Sequence, residues 1–129
     1  MTAALALVAA LASAPAAQAQ EDVRADWQHP DAVVRALGLR LGQTVCDIGA
    51  GPGYFALRLA KEVAPGMVYA VDVEPRVLEV LRGRMTEAKV RNVTPVLGMA
   101  DDPLLGPGLC DLVLIVDTYH HFEDGQAYL

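Results

Sequence analysis

The chain has 129 residues, enough for one domain with a hydrophobic core, and carries a formal net charge of −6. That acidity excludes an ordinary nucleic-acid groove, because there is no Lys/Arg cluster and no interleaving of basic with aromatic residues. A small molecule or a protein side chain is the expected partner.

Residues 1–19 differ from the rest in composition. They are rich in Ala, Leu and Val, contain no charge, and end in Ala17-Gln18-Ala19, an A-x-A site of the type cleaved from exported proteins. The apolar core is too short for a stable membrane span. The basic segment that normally opens a signal peptide is missing, as it would be if the natural start lay upstream. The expected division is a signal peptide or Ala-rich leader at 1–19 and the functional domain at 20–129. A true signal peptide makes the protein exported, for example periplasmic; otherwise it is cytoplasmic. Residues 21–40 read as a lead-in helix, with Asp31 as N-cap, Val33, Val34 and Leu37 on an apolar face, and Gly38 as the stop. Trp27 is expected to pack in the core or on the surface rather than over a ligand.

The segment from Val45 to Phe55 reads as strand, tight glycine turn and helix start. A short apolar run ends in Asp47, and Gly49, Gly51 and Gly53 follow at alternate positions. Such turns bring backbone close to a small-molecule cofactor. The spacing is not the dinucleotide fingerprint, whose third glycine would fall where Tyr54 stands, and it lacks the Gly-Lys-Ser/Thr ending of a P-loop. Asp47, two residues ahead of the first glycine, would repel a pyrophosphate. It suits a ligand carrying an amino group or a sulfonium charge. In its order of hydrophobic, hydrophobic, acid, x-Gly-x-Gly-x-Gly, the run from Val45 to Gly53 resembles the first motif of the class I S-adenosylmethionine-dependent methyltransferases. The resemblance implies that Asp47, Gly49, Gly51 and Gly53 hold the methionine and ribose end of S-adenosylmethionine.

A second apolar run, Met67 to Asp72, follows a helix-ending Pro65-Gly66 pair. It too ends in an acid, and an acid at this distance beyond a glycine loop is placed to hydrogen-bond ribose hydroxyls. Asp72 is the expected ribose ligand, with Glu74 close enough to share the role. Pro75 pre-sets a helix start, and Val77, Leu78, Leu81 and Met85 recur on one helical face. The third run, Val93 to Gly98, contains Pro95, which demotes it to an edge strand. The family resemblance places an acid after this run to bind the adenine amine. The position directly after the glycine is Met99 here, so the role falls to Asp101, with Asp102 as the alternative.

The fourth run, Asp111 to Asp117, is almost continuously apolar, as expected of a strand buried on both faces. Thr118 to Phe122 stands where the resemblance places the methyl-acceptor pocket. His120 or His121 is the candidate to orient an acceptor or take its proton, since histidine titrates near neutrality. No metal site is expected, because no further ligands stand at recognisable spacing. Cys46 and Cys110 are expected to be free, largely buried thiols. If Cys46 ends the first strand and Cys110 opens a parallel neighbour, their Cα atoms lie beyond the roughly 7 Å limit for a bridge.

The expected fold is α/β: a Rossmann-like three-layer sandwich with a parallel sheet ordered 3-2-1-4 and helices on both faces. It stops short of strands 5–7, which the resemblance would add. The fourth strand is then an exposed edge, to be covered by a partner or by a further C-terminal segment. The implied function is methyl transfer from S-adenosylmethionine to a small-molecule or protein acceptor. Two alternatives remain: a non-catalytic cofactor-binding fragment or module, and an NAD-dependent oxidoreductase.

Overall fold

The computed structural model describes residues 28–116. The leader at 1–19, Trp27, Asp117, His120 and His121 lie outside the described residues. The chain divides into two compact units, Met1–Val33 and Val34–Leu129. Of the first, residues 28–33 are described, including the beginning of helix α1 (Pro30–Ala36). Pro30 occupies the first helical position, which its fixed φ favours, so the cap position falls on His29 and not on Asp31. Asp31 instead sits in the first turn and Arg35 in the last, both favourable to the helix dipole. Gly38, at φ +62°, ends the run as its sequence position predicts.

The second unit contains a four-stranded parallel sheet. In chain order its elements are β1 (Thr44–Ile48), α2 (Ala56–Val63), β2 (Met67–Asp72), α3 (Pro75–Ala88), β3 (Val93–Leu97) and β4 (Leu112–Ile115), and the spatial order is β3-β2-β1-β4. The order agrees with the sequence expectation, including Pro95 on an edge strand, where it stands opposite Ala70. Two successive right-handed crossovers in the same direction place α2 and α3 on one face of the sheet. There Leu59, Ala60, Val63, Leu78 and Leu81 are buried, as are Val45, Val68, Ala70 and Val93 of the strands. Full burial of one such Leu or Val is worth about 1.5–3 kcal/mol.

The helices end where local chemistry stops them. Glu74 caps α3 by accepting from the Arg76 N–H at 3.2 Å, and Pro75 follows at the first helical position. Lys89 closes α3 in a left-handed conformation, φ 55°. After α2 the chain turns through Gly66, which is buried against the backbone of Gly42 and Gln43. Asn92 ties this turn down, its Nδ2 donating to the Ala60 carbonyl at 2.7 Å and to the Gly66 carbonyl at 3.0 Å.

The opposite face of the sheet carries a smaller cluster, Cys46, Ile48 and Val71, with Tyr69, Val96, Leu105, Cys110 and Ile115 packed against it. The β3–β4 connection, with no helix in it, runs over this face and brings Cys110 onto Cys46. The two cysteines form a disulfide, with Cα atoms 5.8 Å apart. This overturns the expectation of two free thiols. That expectation placed Cys46 near the C-terminal end of the first strand and Cys110 at the start of the fourth, at opposite ends of parallel neighbours. Cys46 is in fact the middle residue of β1, and Cys110 precedes β4 in a connection that crosses the sheet face to reach it.

Two glycine substitutions are expected to act in opposite directions. A Cβ on Gly66 would collide with the Gln43 carbonyl, the Gly42 backbone and the Val63 carbonyl. Gly66→Ala should therefore lower the unfolding free energy by roughly 2–3 kcal/mol. Gly83, on the exposed side of α3, has nothing near its Cβ position, so Gly83→Ala should raise stability by about 0.5–1 kcal/mol. Urea titrations of the two variants check both signs.

Candidate cofactor site

The site lies at the C-terminal ends of β1, β2 and β3, where parallel α/β sheets bind ligands. Asp47 comes from β1 and is only 3% exposed. The chain then turns through Gly49, Gly51 and Gly53, with φ of 75°, 55° and 92°. These values lie in the left-handed region, which explains why glycine recurs at alternate positions. Tyr54 and Phe55 follow as a buried pair, with ring centroids 5.2 Å apart and edge to face. The Arg58 guanidinium lies 4.5 Å from the Tyr54 ring centroid, so this tyrosine is part of the scaffold beneath the loop.

The loop is fastened mainly to the tip of β2. The Val71 carbonyl accepts from both the Gly49 and the Ala50 amides, at 2.8 and 3.0 Å. Asp72 adds its side chain: Oδ2 accepts from the Gly51 N–H at 2.9 Å and Oδ1 from the Glu74 N–H at 3.0 Å. The Asp72 carbonyl also accepts from Gly98 at the end of β3, at 2.9 Å. From the helix side, Arg84 donates to the Pro52 carbonyl at 3.3 Å. Gly53 lies so close to Leu81 that any Cβ there would strike its side chain.

These bonds have a chemical consequence. The Gly53 amide donates to the Ala50 carbonyl at 3.1 Å, and Pro52 has no N–H. Every amide from Gly49 to Gly53 is therefore committed within the protein. A loop that cradles pyrophosphate works by aiming such amides at the ligand. This one presents glycine backbone without side chains and, beside it, carboxylates. Asp72 is half-buried, and its two bonds leave lone pairs on both oxygens, since a carboxylate has about four acceptor sites.

The remaining sequence candidates fall as follows. Glu74 uses a carboxylate oxygen to cap α3. Asp101 and Asp102 both lie exposed in a turn beyond β3 that is closed by Met99 and Asp102, the Met99 N–H donating to the Asp102 carbonyl at 2.7 Å. The Asp102 carboxylate accepts from the Leu104 N–H at 2.7 Å. Asp101 stands at the outside of the turn. Val73, Leu97 and Met99, all more than half exposed, form an apolar rim around these strand ends. Sequence reading missed Arg84 as a support for the loop. Its only signal was a cation on the α3 side of a motif that lies far away in the chain. Among the described residues, no cluster of three His, Cys, Asp or Glu side chains could hold a metal ion, and no helix is long and apolar enough to cross a membrane.

A parallel 3-2-1-4 sheet with an acid-led glycine turn at the end of β1 and a second acid at the end of β2 defines a nucleoside-cofactor domain of the Rossmann-like class. Residues 45–129 match the methyltransferase domain family, and the chain belongs to it. It is 33% identical over 101 residues to an uncharacterised methyltransferase of Mycobacterium tuberculosis, covering 78% of this chain and 49% of that protein. It is 41% identical over 63 residues to a protein-L-isoaspartate O-methyltransferase of Methanothrix thermoacetophila, covering 48% of this chain and 30% of that protein. Among solved structures, it is similar to a SAM-dependent methyltransferase from Aquifex aeolicus, with a TM-score of 0.74 and 26% identity. That match covers 81% of this chain and 56% of the other. The chain thus spans about half the length, or less, of the curated relatives it matches.

Asp72→Ala is expected to lower stability by about 1–3 kcal/mol, because two backbone donors lose their acceptor. Exchange of the Gly51 and Glu74 amides should accelerate while the centre of α3 keeps its protection. Equal exchange in both proteins would show that the carboxylate does not fasten the loop.

Proposed function

We propose that this domain binds S-adenosylmethionine across the C-terminal ends of β1, β2 and β3, and that the protein to which it belongs transfers the methyl group to a small-molecule or protein acceptor. The observation that carries the reading is the glycine loop whose amides are all committed internally. Such a loop suits an uncharged ribose and a cationic sulfonium and offers little to a pyrophosphate, which disfavours NAD. The donor supplies a methyl group already activated by its sulfonium charge. The chain's own part is then to bind, orient and exclude water.

Asp47 contributes negative charge near the amino and sulfonium end. Gly49, Gly51 and Gly53 let backbone approach the methionine and ribose portion. Asp72 uses its remaining lone pairs for ribose hydroxyls, so one carboxylate both fastens the loop and reads the sugar. Asp101 is the acceptor for the adenine amine, and Val73, Leu97 and Met99 cover apolar surface of the base. His120 and His121 belong to the reading as residues that orient the acceptor or take its proton.

The leader with its Ala17-Gln18-Ala19 site supports export. The Cys46–Cys110 bridge favours the same reading, because disulfides persist in oxidising compartments. In this reading, recognition of the acceptor and cover for the β4 edge draw on chain of the kind that makes the curated relatives longer.

Isothermal calorimetry with S-adenosylmethionine, S-adenosylhomocysteine and NAD tests the reading directly. The two sulfur compounds should bind and NAD should not; NAD binding alone would sink the proposal. Asp72→Asn, which keeps one acceptor oxygen for the loop, should weaken binding of S-adenosylhomocysteine roughly ten-fold, equivalent to losing about 1.4 kcal/mol. Binding without turnover on any acceptor would favour a cofactor-binding module.

A further inference from the structure

Two features lie on the sheet face opposite α2 and α3. One is the Cys46–Cys110 disulfide. The other is an open cavity of about 300 Å³, whose lining includes both cysteines together with Pro103, Leu105 and Val113. Cys46 is fully buried in the middle of β1, while Cys110 is only half-buried. The bridge therefore joins a fully buried cysteine to a half-buried one, and both line the cavity.

Among the described residues, the connection that the bridge holds has few other fastenings. At its start, the turn from Met99 to Asp102 is closed by its own hydrogen bonds, and Asp102 caps Leu104. At its end, the Asp111 N–H donates to the Thr44 carbonyl at 2.8 Å, and the Thr44 N–H donates to the Asp111 carboxylate at 2.8 Å. Between these anchors, the hydrogen bond described is a local turn, Leu109 to Gly106. Gly106, Pro107, Gly108 and Leu109 are exposed, so among the described residues the segment 103–110 meets the sheet mainly through Pro103, Leu105 and the disulfide. Sparse backbone bonding and high exposure mark a segment of low local stability.

We propose that the Cys46–Cys110 bridge is a thiol–disulfide switch that fixes or frees residues 103–110 and thereby tunes the adenine end of the cofactor site. The reductant is a dithiol. Its thiolate attacks the Cys110 sulfur, the Cys46–Cys110 bond breaks, and Cys46 leaves as a thiolate that takes up a proton. The second thiol of the reductant then attacks the mixed disulfide as a thiolate, releasing Cys110 as a thiolate that is protonated in turn. Two electrons pass to the protein, and the dithiol becomes a cyclic disulfide. The freed segment directly follows Asp101 and Asp102, and Cys46 directly precedes Asp47, so both ends of the switch adjoin residues of the site. The coupling to the cofactor rests on the reading of the site as one for S-adenosylmethionine; release of the segment does not.

Three measurements on the full chain test this, each with and without dithiothreitol and in the absence of denaturant. Thiol alkylation followed by mass spectrometry should find both cysteines blocked before reduction and both labelled after it. Free thiols at the outset, or a bridge that opens only in denaturant, would overturn the switch in favour of no bridge or a permanent staple. Hydrogen exchange should accelerate at least about ten-fold at the non-proline residues of 103–110, with α2 and α3 remaining protected. Unchanged exchange, or loss of protection throughout, would also overturn it. Affinity for S-adenosylhomocysteine should fall by about three- to ten-fold on reduction, through the ordering the ligand must then impose. Cys110→Ser, with Cys110→Ala as a second form should it fail to fold, should reproduce the reduced state and ignore dithiothreitol. Equal affinity in the two redox states would remove the link to the site. Absence of binding in both states would count against the cofactor reading, leaving the exchange measurement to decide the switch.

Discussion

Organisation of the cofactor end depends on the tip of β2. A glycine loop has almost no side chains with which to hold itself, yet three of its residues adopt left-handed conformations that must be reproduced in every molecule. Val71 and Asp72 supply what the loop lacks. One carbonyl takes two of its amides, one carboxylate takes a third, and the next carbonyl takes the amide of Gly98. The ends of β1, β2 and β3 are thereby referenced to one another through two residues. Each such bond has a net worth of about 1 kcal/mol, but leaving a buried amide unmet costs more, so this arrangement excludes alternatives more strongly than it adds stability.

The loop is also supported from below. Leu81 fills the space that a side chain at position 53 would need, and Arg84 reaches from α3 to the Pro52 carbonyl. The helix that packs the core is therefore the helix that shapes the loop. With its amides turned inward, the loop would, in the proposed reading, recognise by fit and leave charge to Asp47 and Asp72. That division of labour suits a cationic donor in a chain of formal net charge −6.

The two faces of the sheet are built differently. One is covered by two helices whose leucines and valines interlock with the strands. The other is covered by a connection with no helix in it, pinned by a covalent bond where apolar contacts are few. Val113, 44% exposed in the middle of β4, shows how open that side is among the described residues. A short apolar edge strand of this kind is a natural place for further chain to pair.

Much of this was legible in the amino-acid order because it depends on local stereochemistry. Alternate glycines after an acid mark a left-handed turn at a strand end, Pro95 marks an edge, Pro75 marks a helix start, and apolar runs bounded by turns mark parallel strands. Burial of the fourth run on both faces was not met, because β4 is an edge among the described residues and leaves Val113 exposed. The family resemblance rested on the same residues, and the matched family bears it out. Other features were settled only by the tertiary structure, because they depend on where distant segments meet. Asp72 acts as a fastener as well as a candidate ribose ligand because β2 lies beside β1 in a register that places Gly51 over it. Glu74 is drawn to the helix cap by the proline that follows it. Arg84 finds Pro52 only when α3 has packed. The disulfide was misread for the same reason: strand register alone separates Cys46 from Cys110, but the path of the connection across the sheet face brings them together, and no spacing in the sequence encodes that path.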